Sequence, residues 1–337
     1  MTPLRAGLSG ASQPLLDAVR RCRGHDQCRL LFVHDDDEAR RTRFARDAGV
    51  PGSVATFDEL LATGVDFVVL AGDLSRRLAQ VQAAAAQGAH CLVLAPMAPD
   101  LATATAMLAA CEQAGVRLGV YAPEFQDPVV DQLRRMLAAD WLGGIVAVHA
   151  MLGDTAALQT SDSPPADPFL ALLSRQLHLA SWLIGRPVRT VTAQTTRSLR
   201  RLDDGAVATA VLGGDVPCTF AVSHATHVRA FAVHGTDGGV RLAGDRLWLL
   251  GRREFRGAVF DYLSPGPALA IARGDLAAAI AAREPQVELI GSFARWLDDC
   301  DDYPCPGESA LDDLRVVEAM QLAATSGRTQ HVRRPGT

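Results

Sequence analysis

The chain reads as an α/β protein in two parts: a doubly wound parallel sheet first, then an α+β domain with a large, mostly antiparallel open sheet. Up to residue 121, short apolar runs alternate with amphipathic stretches, the pattern of a parallel sheet covered by helices on both faces. From Val188 to Leu250, β-branched and alternating runs are separated by Gly-rich turns, the pattern of an antiparallel meander. A length of 337 residues with 48% hydrophobic content is enough for two separate cores.

The expected strands of the first part are Leu4 to Leu8, Arg29 to Val33, Asp66 to Leu70, His90 to Leu94 and Arg117 to Tyr121. Helices are expected between them, because Leu78, Val81, Ala85 and Ala89, and then Met107, Leu108, Cys111 and Ala114, recur at helical spacing. A domain boundary follows, giving residues 1-122 and 123-337. The second part opens with a helix around Asp127 to Ala138 and a strand at Ile145 to Met151. A polar loop, Asp154 to Asp167, leads to a helix from Pro168 to Ile184, which Gly185 and Pro187 stop. The meander follows, and helices at about 286 to 300 and 308 to 327 close the chain, with Gly327 as the C-cap of the second.

Composition removes several functional classes. A net charge of -5 leaves no broad basic surface for a nucleic-acid backbone. No run of about 18 to 20 uncharged apolar residues marks a membrane span, and the N-terminus shows no secretory signal, so a cytoplasmic location is expected. The seven cysteines are scattered and unpaired as motifs, as reduced thiols are. Cys300 and Cys305 lie near Asp298, Asp299, Asp301 and Asp302, but an acidic loop after a helix explains the group, and no metal is expected. All 33 residues counted as Lys or Arg are arginines. Arginine holds anions but keeps its proton up to roughly pH 12, so no mechanism here can use an amine.

The first strand runs into Gly10, Ala11 and Ser12, and the next ends at Asp35. That outline is a dinucleotide site: a tight turn, a helix N-terminus for the pyrophosphate, and a carboxylate for the ribose diol. Set on the usual glycine fingerprint, only the first glycine survives; Ser12 and Leu15 stand at the other two positions, and Leu15 would widen the contact between helix and sheet. A turn that binds nothing is the plain alternative. The run Asp35-Asp36-Asp37-Glu38 also suits a helix N-terminus, with Asp35 or Asp36 as cap. If a cofactor binds, that negative cluster favours NAD over NADP.

The ordered set of segments resembles the family of glucose-fructose oxidoreductase and inositol dehydrogenase, known as Gfo/Idh/MocA. The resemblance rests on Leu4 to Ser12, Val33 to Arg40, Val65 to Ala71, Gly88-Ala89-His90, Leu92 to Pro96, Ala180 to Gly185, His234 to Gly239 and Glu318 to Arg328. It implies a Rossmann-type first domain, a bound nicotinamide cofactor, a small-molecule substrate, and a homodimer or homotetramer formed through the second sheet. Gly10, Ala11, Ser12, Asp35, Gly72, Asp73, Ala95 and Pro96 are its implied cofactor residues. The family's Glu-Lys-Pro signature reads Leu94-Ala95-Pro96 here, so the proline remains and both ionisable residues are gone. Its Asp and His on the long helix fall at Ala171 and Arg175, with His178 in place of a further aspartate.

Residues 171, 175 and 178 share one face of a regular helix. Arg175 and His178 are therefore candidates to replace the family's acid-base set, or to cap or pair structurally. Tyr121, at the carboxyl edge of the sheet, is a third candidate as a proton donor, with amphipathic packing as its alternative. Arg76 and Arg77 read as a solvated helix face that could reach an anion, and at most one of His224 and His227 faces a substrate from a regular strand. The reading reached is an atypical NAD-dependent oxidoreductase acting on a small polar carbonyl, hydroxyl or imine compound, anionic ones included. The alternative is a non-redox relative: a ligand-binding or partner subunit, or a lyase or cyclase reusing the cleft.

Overall fold

The computed structural model describes residues 2–22, 27–155, 167–197, 204–244, 246–251, 269–272, 275 and 288–334. By its internal contacts the chain divides into two units, Met1–Gln126 with Val287–Asp312, and Asp127–Gln286 with Asp313–Thr337. The sequence reading sets its boundary after residue 122. The return of 287–312 to the first unit differs from the sequence reading, which assigned everything after 122 to the second.

In the first unit, β1 (Leu4–Ser9), β2 (Cys28–His34), β3 (Gly52–Val54), β4 (Phe67–Leu70), β5 (His90–Leu94) and β6 (Leu118–Tyr121) form a parallel sheet in the order β3-β2-β1-β4-β5-β6. All five expected strands are present; β3, three residues long at the edge, has too little alternation to be read from sequence. Helices α1 (Gln13–Cys22) and α2 (Glu38–Ala48) pack together, as do α3 (Phe57–Ala62), α4 (Leu74–Ala86) and α5 (Leu101–Ala114) in succession. Their starts are fixed locally. Asp37, Thr56, Asp73 and Asp100 each accept a backbone N–H of the first turn with their side chains. The cap of α2 is thus Asp37, not Asp35 or Asp36, and this leaves both of those carboxylates for other work.

Helix Leu289–Leu297 completes this core. Phe293, fully buried, meets Phe67 of β4 edge-on at 5.5 Å between ring centroids and Tyr303 at 5.4 Å. The Tyr303 hydroxyl donates to the Val120 carbonyl at 3.0 Å. A Cβ at Gly119 would lie 2.7 Å from the Phe293 ring, so β6 has been kept bare for this aromatic cluster. All seven cysteines are free, and the sulfurs of Cys22 and Cys28 stand 3.3 Å apart where α1 ends and β2 begins.

The second unit contains α6 (Pro128–Ala138), β7 (Ile145–Gly153), a π-helical turn (Phe169–Leu173) that runs into α7 (Ser174–Ile184), and the strands of a second sheet. These are β8 (Val188–Thr196), β9 (Gly205–Leu212), β10 (Val216–Ser223), β11 (Val228–Gly235), β12 (Gly238–Ala243), β13 (Arg246–Gly251), β14 (Leu269–Ala272) and β15 (Gln330–His331). The order β14-β13-β12-β11-β7-β10-β9-β8-β15 departs from a pure meander, because β7 inserts between β10 and β11 and runs parallel to β10. Val148, Ala150 and Leu152 of β7 and Cys218, Phe220 and Val222 of β10 are buried on one face. On the other face the register aligns Thr192, Thr209, Thr219 and His149 in an exposed polar row. Most of the expected polar loop, 156–166, lies outside the described residues.

Phe293→Ala should lower the unfolding free energy by about 3–5 kcal/mol, the usual cost of truncating a buried phenylalanine. The fall in the urea midpoint at constant slope measures it, and a loss below about 1 kcal/mol would show that 287–312 is not integral to the first core.

Candidate active site: a dinucleotide cradle and a buried imidazole

The carboxyl ends of β1 and β4 are adjacent, and the chain leaves them on opposite sides of the sheet. This is the topological switch point, where doubly wound sheets bind nucleotides. Gly10 leaves β1 at φ +89°, in the left-handed region that favours glycine. A Cβ there would stand 2.4 Å from the Gly72 backbone nitrogen, so the two turns meet backbone to backbone. Around them opens a cleft of about 590 Å³ lined by Ser9 to Ser12, His34 to Asp36, Arg40, Ala71 to Asp73, Arg76 and Gln80. Gly10, Ala11, Ser12, Asp35, Gly72 and Asp73, all proposed from sequence, thus come together. Leu15 is fully buried, and α1 accommodates it without closing the cleft.

Asp35 is the centre of the charge network. One carboxylate oxygen accepts the Ala11 N–H at 2.9 Å; the other takes the Asp37 N–H at 3.0 Å and both Nε and Nη2 of Arg40, at 2.9 and 2.7 Å. Burial pushes this acid up, but the Arg40 fork and the two N–H groups outweigh burial and hold it below its ordinary 3.8. Asp36 pairs with Arg76 and lies 3.5 Å from His34 Nε2. Burial lowers the His34 pKa, with Asp36 and Asp35 opposing, so the ring is neutral at pH 7. Its Nδ1 lies 3.0 Å from the Ser9 hydroxyl, which in turn accepts from Gln80 Nε2 at 3.0 Å. Sequence reasoning missed Ser9, His34 and Gln80, since each is an ordinary polar residue at a strand end or within a helix.

The turn after β5 carries Ala95 and Pro96, joined by a cis bond and half-buried. Arg77, expected on a solvated face with Arg76, lies 4% exposed beneath this turn. Its guanidinium donates to the carbonyls of Leu94 at 2.7 Å, Pro96 at 2.5 Å, Met97 at 3.3 Å and Gly72 at 3.2 Å. Arg76 is exposed, as expected, yet paired.

Tyr121 does not suit the proton-donor role. It is 3% exposed, its hydroxyl donates to Gln126 at 2.8 Å, and burial drives the phenol well above its ordinary range. Its amphipathic alternative, packing, is what the geometry supports. In the second unit the π turn shifts the register before Ser174, so Ala171 does not share the α-helical face of the residues that follow it. Arg175 and His178 both lie within α7 and keep their spacing. Arg175 is half-buried and already has an interaction partner. His178 is buried, with Nδ1 against the carboxylate of Asp313 on the closing helix Gly307–Ser326, a partner that sequence reading did not identify. His224 is buried with its ring 3.3 Å from the Asp154 carbonyl, His227 is exposed, and both lie in the turn after β10. Among the described residues no group of three or more His, Cys, Asp or Glu is assembled to hold a metal.

Comparison with known proteins places this geometry. The family model described as oxidoreductase family, NAD-binding Rossmann fold, matches residues 5–122, and the model of the GFO/IDH/MocA C-terminal domain matches residues 130–241. The chain belongs to the Gfo/Idh/MocA oxidoreductase family. Among its relatives, D-apiose dehydrogenase of Paraburkholderia graminis is 28% identical over 292 residues, 80% of this chain and 74% of that one. An oxidoreductase from Agrobacterium radiobacter, solved with NAD+, L-tartaric acid and magnesium, shares the fold at a TM-score of 0.79 and 20% identity, covering 98% of this chain and 99% of that one. The WlbA dehydrogenase from Bordetella pertussis, solved with NADH and UDP-GlcNAcA, does so at 0.79 and 20%, covering 98% of each chain. These Gfo/Idh/MocA likenesses extend over both units, and no helix of the described residues is long and apolar enough to cross a membrane.

Gly10→Ala should weaken dinucleotide binding by roughly five- to a hundredfold, the effect of about 1–3 kcal/mol of backbone strain relieved only by parting the two turns. Titration of the NADH fluorescence against the variant measures this; unchanged affinity would mean that the Gly10–Gly72 approach is not part of the binding surface.

Proposed function

We propose that this chain is an NAD-dependent oxidoreductase that acts on a small polar, anionic hydroxyl, carbonyl or imine compound without a catalytic lysine. The observation that carries the proposal is the bare backbone contact of Gly10 and Gly72 beside Asp35, a cradle any larger side chain would fill. Gly10 to Ser12 and the start of α1 would face the pyrophosphate, and Asp35 the adenosine ribose. Of the two Asp35 oxygens, the one facing Ala11 takes a single N–H and keeps a lone pair for a ribose hydroxyl. NAD is favoured over NADP because Arg40 and Arg76 on the rim are already neutralised by Asp35 and Asp36. A 2'-phosphate would meet two carboxylates whose neighbouring arginines are already paired. When bound, the cofactor supplies the hydride chemistry; this chain's own residues must position both partners and move one proton.

For the proton, the best-supported group is His178. An imidazole held by a carboxylate is the arrangement of a general acid or base, because the carboxylate fixes ring and tautomer and stabilises the protonated form. Arg175, three residues earlier on α7, suits an anionic substrate. That the Agrobacterium relative was solved with L-tartaric acid, a hydroxy acid, supports the same substrate class.

Calorimetry with NADH should give a defined dissociation constant, and absence of binding at millimolar cofactor would overturn the redox reading in favour of a non-redox family member. Once a 2-hydroxy acid or sugar acid is found to be turned over, His178→Gln should lower kcat by about 10²- to 10⁴-fold while leaving the NADH affinity within twofold. An unchanged kcat would remove His178 from the chemistry.

A further inference from the structure

We propose that Arg77 is the fixed positive charge of the nicotinamide half of the site, and that it makes the protein bind reduced cofactor more tightly than oxidised. This deepens the function proposed above and rests on it.

The placement comes from the sheet order. In a doubly wound sheet the two mononucleotide halves lie on either side of the switch point: here β1, β2 and β3 on one side, and β4, β5 and β6 on the other. Asp35, at the end of β2, belongs to the adenosine half. Arg77 belongs to the other. It rises from the first turns of α4 and binds the turn after β4 through the Gly72 carbonyl and the turn after β5 through those of Leu94, Pro96 and Met97. It therefore ties together the two backbone segments that would floor the nicotinamide riboside.

What sets Arg77, buried behind the turns, apart from the two arginines that line this unit's cleft is its lack of a counter-ion. Arg40 and Arg76 are each closed off by a carboxylate. Arg77, though 4% exposed, forms no ion pair among the described residues. The one acid acting on it is Asp73, whose carboxylate accepts the Ser75 N–H at 2.9 Å and so caps α4. Four carbonyl dipoles solvate the guanidinium without cancelling its charge, and in a poorly polarisable setting the remaining field reaches well past contact distance. Burial pushes the Arg77 pKa down to about 10, so it stays charged at neutral pH. A chain without lysine has no side chain but arginine for a permanent positive charge at this place.

Oxidised nicotinamide carries a formal positive charge and reduced nicotinamide none; the rest of the two molecules is the same. A fixed cation in this half selects between them by charge alone. A preference for NADH of roughly tenfold corresponds to one unit charge acting over about 12 Å at an effective dielectric of about 20.

The test is a pair of calorimetric titrations, NADH and NAD+, on the full chain and on Arg77→Gln and Arg77→Lys. The wild type should bind NADH roughly tenfold more tightly; Arg77→Gln should bring the two affinities within about threefold; Arg77→Lys should keep the preference. NAD+ bound as tightly as NADH by the wild type overturns the inference, as does a folded Arg77→Gln that retains the full ratio. If Arg77→Gln does not fold, the wild type and Arg77→Lys decide, and loss of the preference in either overturns it. A wild type that binds neither nucleotide overturns the redox function itself, a result distinct from any change in the ratio.

Discussion

The contact on which the site depends is the approach of two turns, Gly10 after β1 and Gly72 after β4, with no side chain between them. Strands adjacent in a parallel sheet bring their carboxyl ends together, but ordinary turns there would collide. The positive φ of Gly10 and the missing Cβ resolve the collision. The rest follows geometrically. The Gly10 turn aims the Ala11 N–H at Asp35, Asp35 gathers Arg40, and the Gly72 carbonyl becomes one of the four acceptors of Arg77. Disturbing one glycine thus reaches the ribose carboxylate on one side and the turn of Ala95 and Pro96 on the other.

Charge within the first unit is distributed by burial. In the exposed pair of Arg76 and Asp36 water screens both partners, and such pairs contribute little to stability. Arg77 is a different case. Removing a cation from water costs several kcal/mol even after relaxation, and its carbonyl partners offset only part of that. A buried cation kept without a neutralising acid leaves its field uncancelled, while its N–H groups serve four carbonyls that an apolar side chain at the same point of α4 would leave without that donor.

Much of this was legible in the sequence, and the failures have physical causes. The five long strands of the first sheet, the helices between them and the closing helix follow from hydrophobic period, and Gly10, Asp35 and Gly72 from their places at strand ends. The insertion of β7 between β10 and β11 was not legible, because β7 carries the same alternation whichever neighbour it chooses. Nor was the return of Phe293 and Tyr303 to the first core, since an aromatic cluster spread over more than two hundred residues leaves no local period. Arg76 and Arg77 are adjacent and identical in type, yet one is exposed and the other buried; 100° of helical rotation separates their fates, and only the position of the β5 turn decides which faces inward. The π turn at Phe169–Leu173 likewise disrupted an otherwise sound helical-face argument for Ala171, while the part that rests on α7 alone, Arg175 with His178, held its spacing.

An ammonium group beside a nicotinamide offers two things at once, a positive charge and a removable proton. Arginine can offer only the first, because its proton does not leave at any working pH. Histidine offers the second, since its ordinary pKa lies near neutrality, and a carboxylate such as Asp313 keeps its ring oriented as the proton comes and goes. In the function proposed for this chain, what one ammonium group could do is therefore divided between two residues of different type. The two roles then need not share one environment. A permanent charge exerts most influence where water is excluded, as at Arg77. An imidazole as buried as His178 exchanges its proton only with a partner that reaches its ring, and its carboxylate neighbour, not the buried arginine, sets its orientation.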